Sequence, residues 1–198
     1  MSELGKFWAE LLEGPGSARI LDRAMAHAAQ GLAEMIGQPV DHTPATVKQM
    51  ALAQVAACAG DPEAPAVGVY LKIESGLVGW ALLCMPLDLA LHVANRVLQA
   101  PPAAGARLGR LQKSALAEVG NLALSYFLNA VAEETGAAGA LLPSPPAVIV
   151  DMLGVILNLM VGPAVAVSDR LMTVESLFRE AGRPEPICFW IAPDMGSR

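Results

Sequence analysis

Residues 106 to 134, ARLGRLQKSALAEVGNLALSYFLNAVAEE, read as one long helix, and that helix constrains the rest of the chain. At about 100° per residue, Ser114, Glu118, Asn121 and Ser125 fall within an arc of roughly 60°. Leu116, Val119, Leu122, Leu124, Tyr126 and Phe127 cover the remainder. A surface helix would carry a broad outer face of Lys and Glu. Here the polar stripe is narrow and holds two hydroxyls, one carboxylate and one carboxamide. Two readings fit it: a solvent-facing strip on a largely buried structural helix, or a shallow site that offers a carboxylate and an amide to something docked on it. No histidine stands near enough in sequence to suggest activation of Ser114 as a nucleophile.

Enclosing such a helix takes a large apolar complement, and the chain has one. Its 198 residues are 54% hydrophobic and 16% charged, the composition of a packed interior rather than of disorder. One domain, or two closely fused halves, is expected. The net charge of −6 argues against a non-specific nucleic-acid binder, which needs a basic face. Cys58, Cys84 and Cys188 are far apart among apolar neighbours, and His27, His42 and His92 are equally scattered. This spacing indicates reduced core thiols and no metal site.

The N-terminus lacks the basic start, apolar run and cleavage site of a signal peptide. Residues 147 to 167, AVIVDMLGVILNLMVGPAVAV, are long enough to span a bilayer. Asp151, Asn158 and Pro163 interrupt them, which fits buried soluble elements better. A soluble, cytoplasmic protein without membrane insertion is the expectation.

Residues 2 to 14 place Leu4, Phe7, Trp8, Leu11 and Leu12 on one helical face. A helix this short is marginal alone, so it either docks on its own domain or lies in a partner's groove. After Gly14-Pro15-Gly16, Ser17 is the expected N-cap of a helix through Ile36, ended by Gly37. A loop from Pro39 to Pro44 leads to TVKQMALAQVAA, a strand or buried mixed segment. Residues 67 to 73 and 79 to 85 read as a hairpin turning at Glu74-Ser75-Gly76, and Pro86 to Gln99 as a helix closed by Pro101-Pro102.

The second half repeats this order. The long helix stops at Gly136, a loop with Pro143, Pro145 and Pro146 follows, then AVIVDMLGVIL, then strands at 170 to 178 and 187 to 192. Aligning Gly37 with Gly136 matches Ala33 to Ala132 and Glu34 to Glu133. Past the loops, Pro44-Ala45-x-Val47-x-x-Met50 matches Pro146-Ala147-x-Ile149-x-x-Met152. The pattern predicts an internal duplication. Residues 1–16 form an amphipathic segment before a single domain, 17–198, of two repeats at about 17–100 and 106–194.

Ser114, Glu118 and Asn121, spaced S-x3-E-x2-N with prolines about two dozen residues later, resemble the motif of the CheC/CheX/FliY phosphatases of bacterial chemotaxis. The resemblance runs from about Ser17 to Pro193. It implies an α/β (α+β) CheC-like fold, in which pseudo-twofold helix–strand–hairpin units form one sheet with the two long helices packed on a face. Some members of that family carry the motif in both halves and some in one. Here Pro15, Arg19 and Asp22 stand where the second half has Ser114, Glu118 and Asn121, so only the second half is expected to be active. Pro143 falls slightly short of the family's proline spacing, and Pro145 and Pro146 lie close to it. Asp88, His92 and Asn95 share a face of the intervening helix, where Asp88 suits the helix dipole.

The resemblance implies hydrolysis of the aspartyl phosphate on a CheY-type response regulator. Asn121 would hold the attacking water, Glu118 would pair with a lysine beside the partner's phosphorylation site, and Ser114 would add a minor contact. The chain would bind no cofactor, with Mg²⁺ on the partner's acidic pocket. The alternative from another class is a non-catalytic chemotaxis or flagellar-switch scaffold that binds a receiver or a CheD-type deamidase. Oligomeric state is left open.

Overall fold

The computed structural model describes residues 3–56, 59–74, 78–101, 107–136, 141–161 and 169–194. Cys58, Pro102, Pro163, the expected turn at Ser75-Gly76 and the side chains of Leu4 and Phe7 lie outside that set.

Two apolar segments, GWALLCMP and ICFWIAP, can be strands only where both faces are covered. They form β4 (Gly79–Pro86) and β7 (Ile187–Pro193), paired antiparallel at the centre of a seven-stranded sheet. The outer strands are β1 (Val40–His42), β2 (Thr46–Ala51), β3 (Pro65–Ile73), β5 (Ala147–Met152) and β6 (Arg170–Glu180). The order is β1-β6-β7-β4-β3-β5, with β2 also on β6, and every pairing is antiparallel. This is the mixed α/β architecture expected.

Alternation along the strands divides the core in two. Val67, Val69, Leu71, Ala81, Leu83, Met85, Phe189 and Ile191 face one side. That side is covered by α1 (Glu3–Glu13), α2 (Ser17–Ile36), α4 (Leu87–Val97) and α5 (Arg110–Thr135). Phe127 of α5 meets Phe189 edge to face at 6.0 Å. Ala66, Trp80, Leu82, Cys84, Trp190 and Ala192 face the other side, under α3 (Leu52–Val55) and α6 (Leu153–Val161). The segment 147–161 is thus a strand followed by a helix. Among the described helices only α5 is long and apolar enough to cross a membrane, and 56% of its apolar window is buried within the fold.

The first helix docks on its own chain. Trp8, Leu11 and Leu12 are buried in the main core, and the Trp8 indole N–H donates to the Val78 carbonyl at 2.8 Å. Ser17 is the first residue of α2 rather than its cap: Gly16, at φ 89°, holds the N-cap position without a side-chain bond. A left-handed turn there leaves a glycine as the natural occupant. The two long helices end alike, at Gly37 (φ 71°) and Gly136 (φ 64°), in the left-handed C-terminal turn that glycine favours.

The halves correspond down to single hydrogen bonds. Thr43 exchanges two bonds with Leu177: Thr43 N–H to the Leu177 carbonyl at 3.0 Å, and Leu177 N–H to Thr43 Oγ1 at 3.0 Å. Ser144 does the same with Lys72, at 2.8 and 2.9 Å. The Ile73–Pro143 bridge likewise answers the Phe178–His42 pair of β6 and β1. Thr43 therefore corresponds to Ser144 and Pro44 to Pro145, which corrects the alignment of Pro44 with Pro146 by one residue. The letter match had paired Met50 with Met152. The ladders make Met50, opposite Leu171, equivalent to Asp151, opposite Ala66, and a one-residue slip would have put every side chain on the wrong face.

Helix α5 approaches β3 closely at Gly120. A Cβ built there lies 2.5 Å from Val69 Cγ1 and 3.0 Å from Val69 Cβ, and Val69 is fully buried on a rigid strand. Gly120→Ala is expected to destabilise the protein, because overpacking of about 1–3 kcal/mol outweighs a helix-propensity gain of about 1 kcal/mol. A raised denaturant midpoint for the variant would contradict this packing.

Candidate functional site

The antiparallel pairing of α2 and α5 decides which side chains remain available. Gly31 of α2 faces the Tyr126 ring, where a Cβ would sit 3.0 Å from Cδ2. The Tyr126 hydroxyl donates to Glu34 at 2.7 Å. That bond, with burial and the same negative charge adding to it, pushes the Tyr126 hydroxyl above its ordinary pKa. At the other end of the pair, Glu134 of α5 receives Arg19 at 3.0 Å and also Arg23.

These contacts leave the stripe on α5 facing outward. Ser114 and Glu118 are exposed, and Asn121 and Ser125 are half-buried. The Ser125 hydroxyl donates to the Asn121 carbonyl at 2.8 Å, a bond within the helix that leaves the Asn121 side chain untouched. Among the described residues, the Glu118 carboxylate and the Asn121 carboxamide have no hydrogen-bond or ion-pair partner. Three residues apart on a helix, the two groups are neighbours. Together they present one negative charge and one group able both to donate and to accept.

The corresponding positions of α2 are engaged. Arg19 is held by Glu134. Asp22 Oδ1 accepts from the Ala45 N–H at 3.2 Å and lies 3.5 Å from His42 Nε2. Asp22 thus ties α2 to the loop before β2. The sequence could not show Glu134 as the partner of Arg19 and Arg23, because the pairing exists only once the helices run antiparallel.

Other candidates have structural roles. Asp88 lies in the first turn of α4. His92 Nε2 approaches both Glu180 oxygens at 2.9 and 3.1 Å, and Arg183 Nη2 lies 3.1 Å from His92 Nδ1. A guanidinium only donates, so Nδ1 accepts and Nε2 carries the proton toward the buried Glu180. Asn95 Oδ1 accepts from Gln112 of α5 at 2.8 Å. Cys84 and Cys188, distant in sequence, face each other across β4 and β7. Burial pushes the Cys84 thiol up to about 12, which keeps it un-ionised and unreactive. Pro143 and Ser144 seat the loop before β5 against β3, and Pro145 follows them in that loop. A cleft of about 570 Å³ lies between the ends of α2 and α4, where Arg96 donates to the Ile36 and Gly37 carbonyls; no stripe residue lines it. Among the described residues no group of three or more His, Cys, Asp or Glu is arranged to hold a metal.

No family model matches the sequence. CheC of Bacillus subtilis strain 168, named a CheY-P phosphatase, is 26% identical over 134 residues. The match covers 67% of this chain and 63% of that protein, less than two thirds of its length. FliY of Thermotoga maritima superposes with a TM-score of 0.69 at 20% identity, covering 98% of this chain and 92% of that one. By sequence the chain is similar to CheC, and by fold to FliY. The Borrelia burgdorferi CheX–CheY–BeF3–Mg complex also contains the fold (TM-score 0.56, 16% identity, 86% and 94% coverage). So does the FliM middle domain of H. pylori (TM-score 0.55, 11% identity, 98% and 92% coverage). The similar proteins thus include one named for phosphatase activity, CheC, and others named FliY and FliM.

Because Glu118 and Asn121 are uncommitted and solvent-facing, Glu118→Ala and Asn121→Ala are each expected to change unfolding free energy by less than about 0.5 kcal/mol. Glu134→Ala, which releases both arginines, is expected to cost more than either. Chemical denaturation of the three variants tests this ordering; a large loss for Glu118→Ala would mean that the stripe is structural.

Proposed function

We propose that this protein hydrolyses the aspartyl phosphate of a CheY-type response regulator, using one site on α5. The observation that carries the proposal is the pair of groups without a partner among the described residues, Glu118 and Asn121, on the outward face of a helix whose opposite face lies in the core. The named activity of the CheC relative and the CheX–CheY complex support the choice of partner.

An acyl phosphate is already activated, so a helper has mainly to place a water in line and steady the geometry. The Asn121 carboxamide orients the water by a hydrogen bond without competing as a nucleophile. The water oxygen forms a bond to phosphorus as the bond to the aspartate oxygen breaks. The aspartate leaves as carboxylate with that electron pair, and the water's proton passes to the phosphate or to solvent. Glu118 pairs with a lysine beside the phosphorylated aspartate, which fixes the register of the dock, and Ser114 adds a contact at the same interface. Mg²⁺ would sit in the partner's acidic pocket, where it would offset charge on the phosphoryl group.

Asn121→Ala is expected to slow stimulated dephosphorylation by about a hundredfold or more, the scale seen when one positioned polar group is removed, with little loss of binding. The measurement is decay of a phosphorylated CheY-type receiver in Mg²⁺ with wild type, Asn121→Ala and the Glu118→Ala/Asn121→Ala double variant. Decay equal to wild type in the double variant would exclude the site. Receiver binding without accelerated decay by wild type would place the protein among the non-catalytic scaffolds.

A further inference from the structure

The first turns of α5 carry a feature that the Glu118/Asn121 pair does not explain. Arg107, Arg110 and Lys113 fall within seven residues of a chain with net charge −6, and all three are exposed. Among the described residues none of them has an ion-pair partner, whereas Arg19 and Arg23 share Glu134 and Lys48 pairs with Glu175. The first turn of α5 holds no acidic residue, so the cations stand where a helix disfavours positive charge. Between them Leu111 is 72% exposed, more than any other large apolar side chain described.

Their placement connects them to the stripe. At about 100° per residue, Arg110 and Leu111 flank the direction of Ser114 one turn upstream. Leu111 shares a side of the helix with Glu118 at a rise of about 10 Å. With the exposed Leu111 on one flank of the stripe and Arg110 and Lys113 on the other, the start of α5 has the make-up of an interface anchor with a charged rim. The complementary surface is acidic, as the carboxylates and phosphoryl group around a phosphorylated aspartate are.

We propose that Leu111, with Arg107, Arg110 and Lys113, forms a docking element for the acidic rim of the phosphorylated receiver, contiguous with Glu118 and Asn121. This rests on the phosphatase reading above. The leucine supplies buried apolar area, and the cations steer the encounter and fix which end of the partner lies over the start of α5.

The test measures binding apart from turnover, with a CheY-type receiver held in its activated form by beryllofluoride and Mg²⁺. Leu111→Ala is expected to weaken affinity about tenfold. Arg110→Glu/Lys113→Glu is expected to weaken it about a hundredfold in low salt, with the deficit shrinking as salt rises. Acidic residues near a helix start are favourable, so the reversed variant should unfold no earlier than wild type. Both variants should retain wild-type kcat at saturating receiver. Unchanged affinity in both variants, or lost kcat with affinity intact, would overturn the docking element while leaving the Asn121 chemistry standing. Failure of the wild type to bind any activated receiver would overturn both.

Discussion

The antiparallel seam between β4 and β7 is the contact on which the rest of the structure depends. It joins the two halves along strands buried on both faces, from Gly79 opposite Pro193 to Cys84 opposite Cys188. The outer strands then exchange: β2 of the first half pairs with β6 of the second, and β5 of the second pairs with β3 of the first. Neither half can complete its side of the sheet without the other. Most strand pairings are therefore non-local, the kind that slows folding. The exchange also carries α2 over β6 and α5 over β3, setting the helices side by side. Gly31 and Gly120 allow the close approaches that this arrangement requires.

Once the helices are paired, the fate of each outward face follows from charge. On α2 the residues that correspond to the motif became Arg19 and Asp22, and both found partners in the fold: Glu134 on the neighbouring helix and the backbone before β2. An arginine bridging two helices adds to stability only modestly when its side chain is as exposed as this one. It nonetheless engages a group that would otherwise be free to meet a partner. On α5 the carboxylate and carboxamide have none among the described residues. The asymmetry between the halves is thus a difference in what the side chains have available, while the backbone beneath stays duplicated, as the matching Thr43 and Ser144 bonds show.

Much of this was legible in the sequence because periodicity reports burial directly. The stripe on α5, the two hairpins and the repeated glycine ends were visible as spacing, since each follows from local geometry. The relation between halves was legible only to within a residue. Apolar letters recur at many offsets, and Met50 matches Met152 as a letter while the ladder matches it to Asp151. Hydrogen bonds, which letters do not record, fix the true register. Pairings across the seam were invisible for a related reason. Cys84 and Cys188 are far apart in the chain, and nothing local announces that they meet. The ion pairs of Glu134 with Arg19 and Arg23 depend on an antiparallel helix crossing that no single segment encodes.

The same logic bears on the N-terminal segment and on the exposed start of α5. Trp8, Leu11 and Leu12 formed an apolar face that could have suited a partner's groove, but they are buried in the protein's own core, and the one polar atom of Trp8 is satisfied by Val78. An apolar face with its hydrogen bond met has no reason to leave. Leu111 is the converse case: an apolar side chain left in water beside cations that the helix dipole disfavours. A lone exposed leucine is unremarkable on a protein surface, and so is a lone unpaired arginine. Found together about two turns before Glu118, they border the helix face of groups that have no partner among the described residues. A surface that is costly to the isolated protein and continuous with an uncommitted polar site is more simply explained by a partner than by the fold.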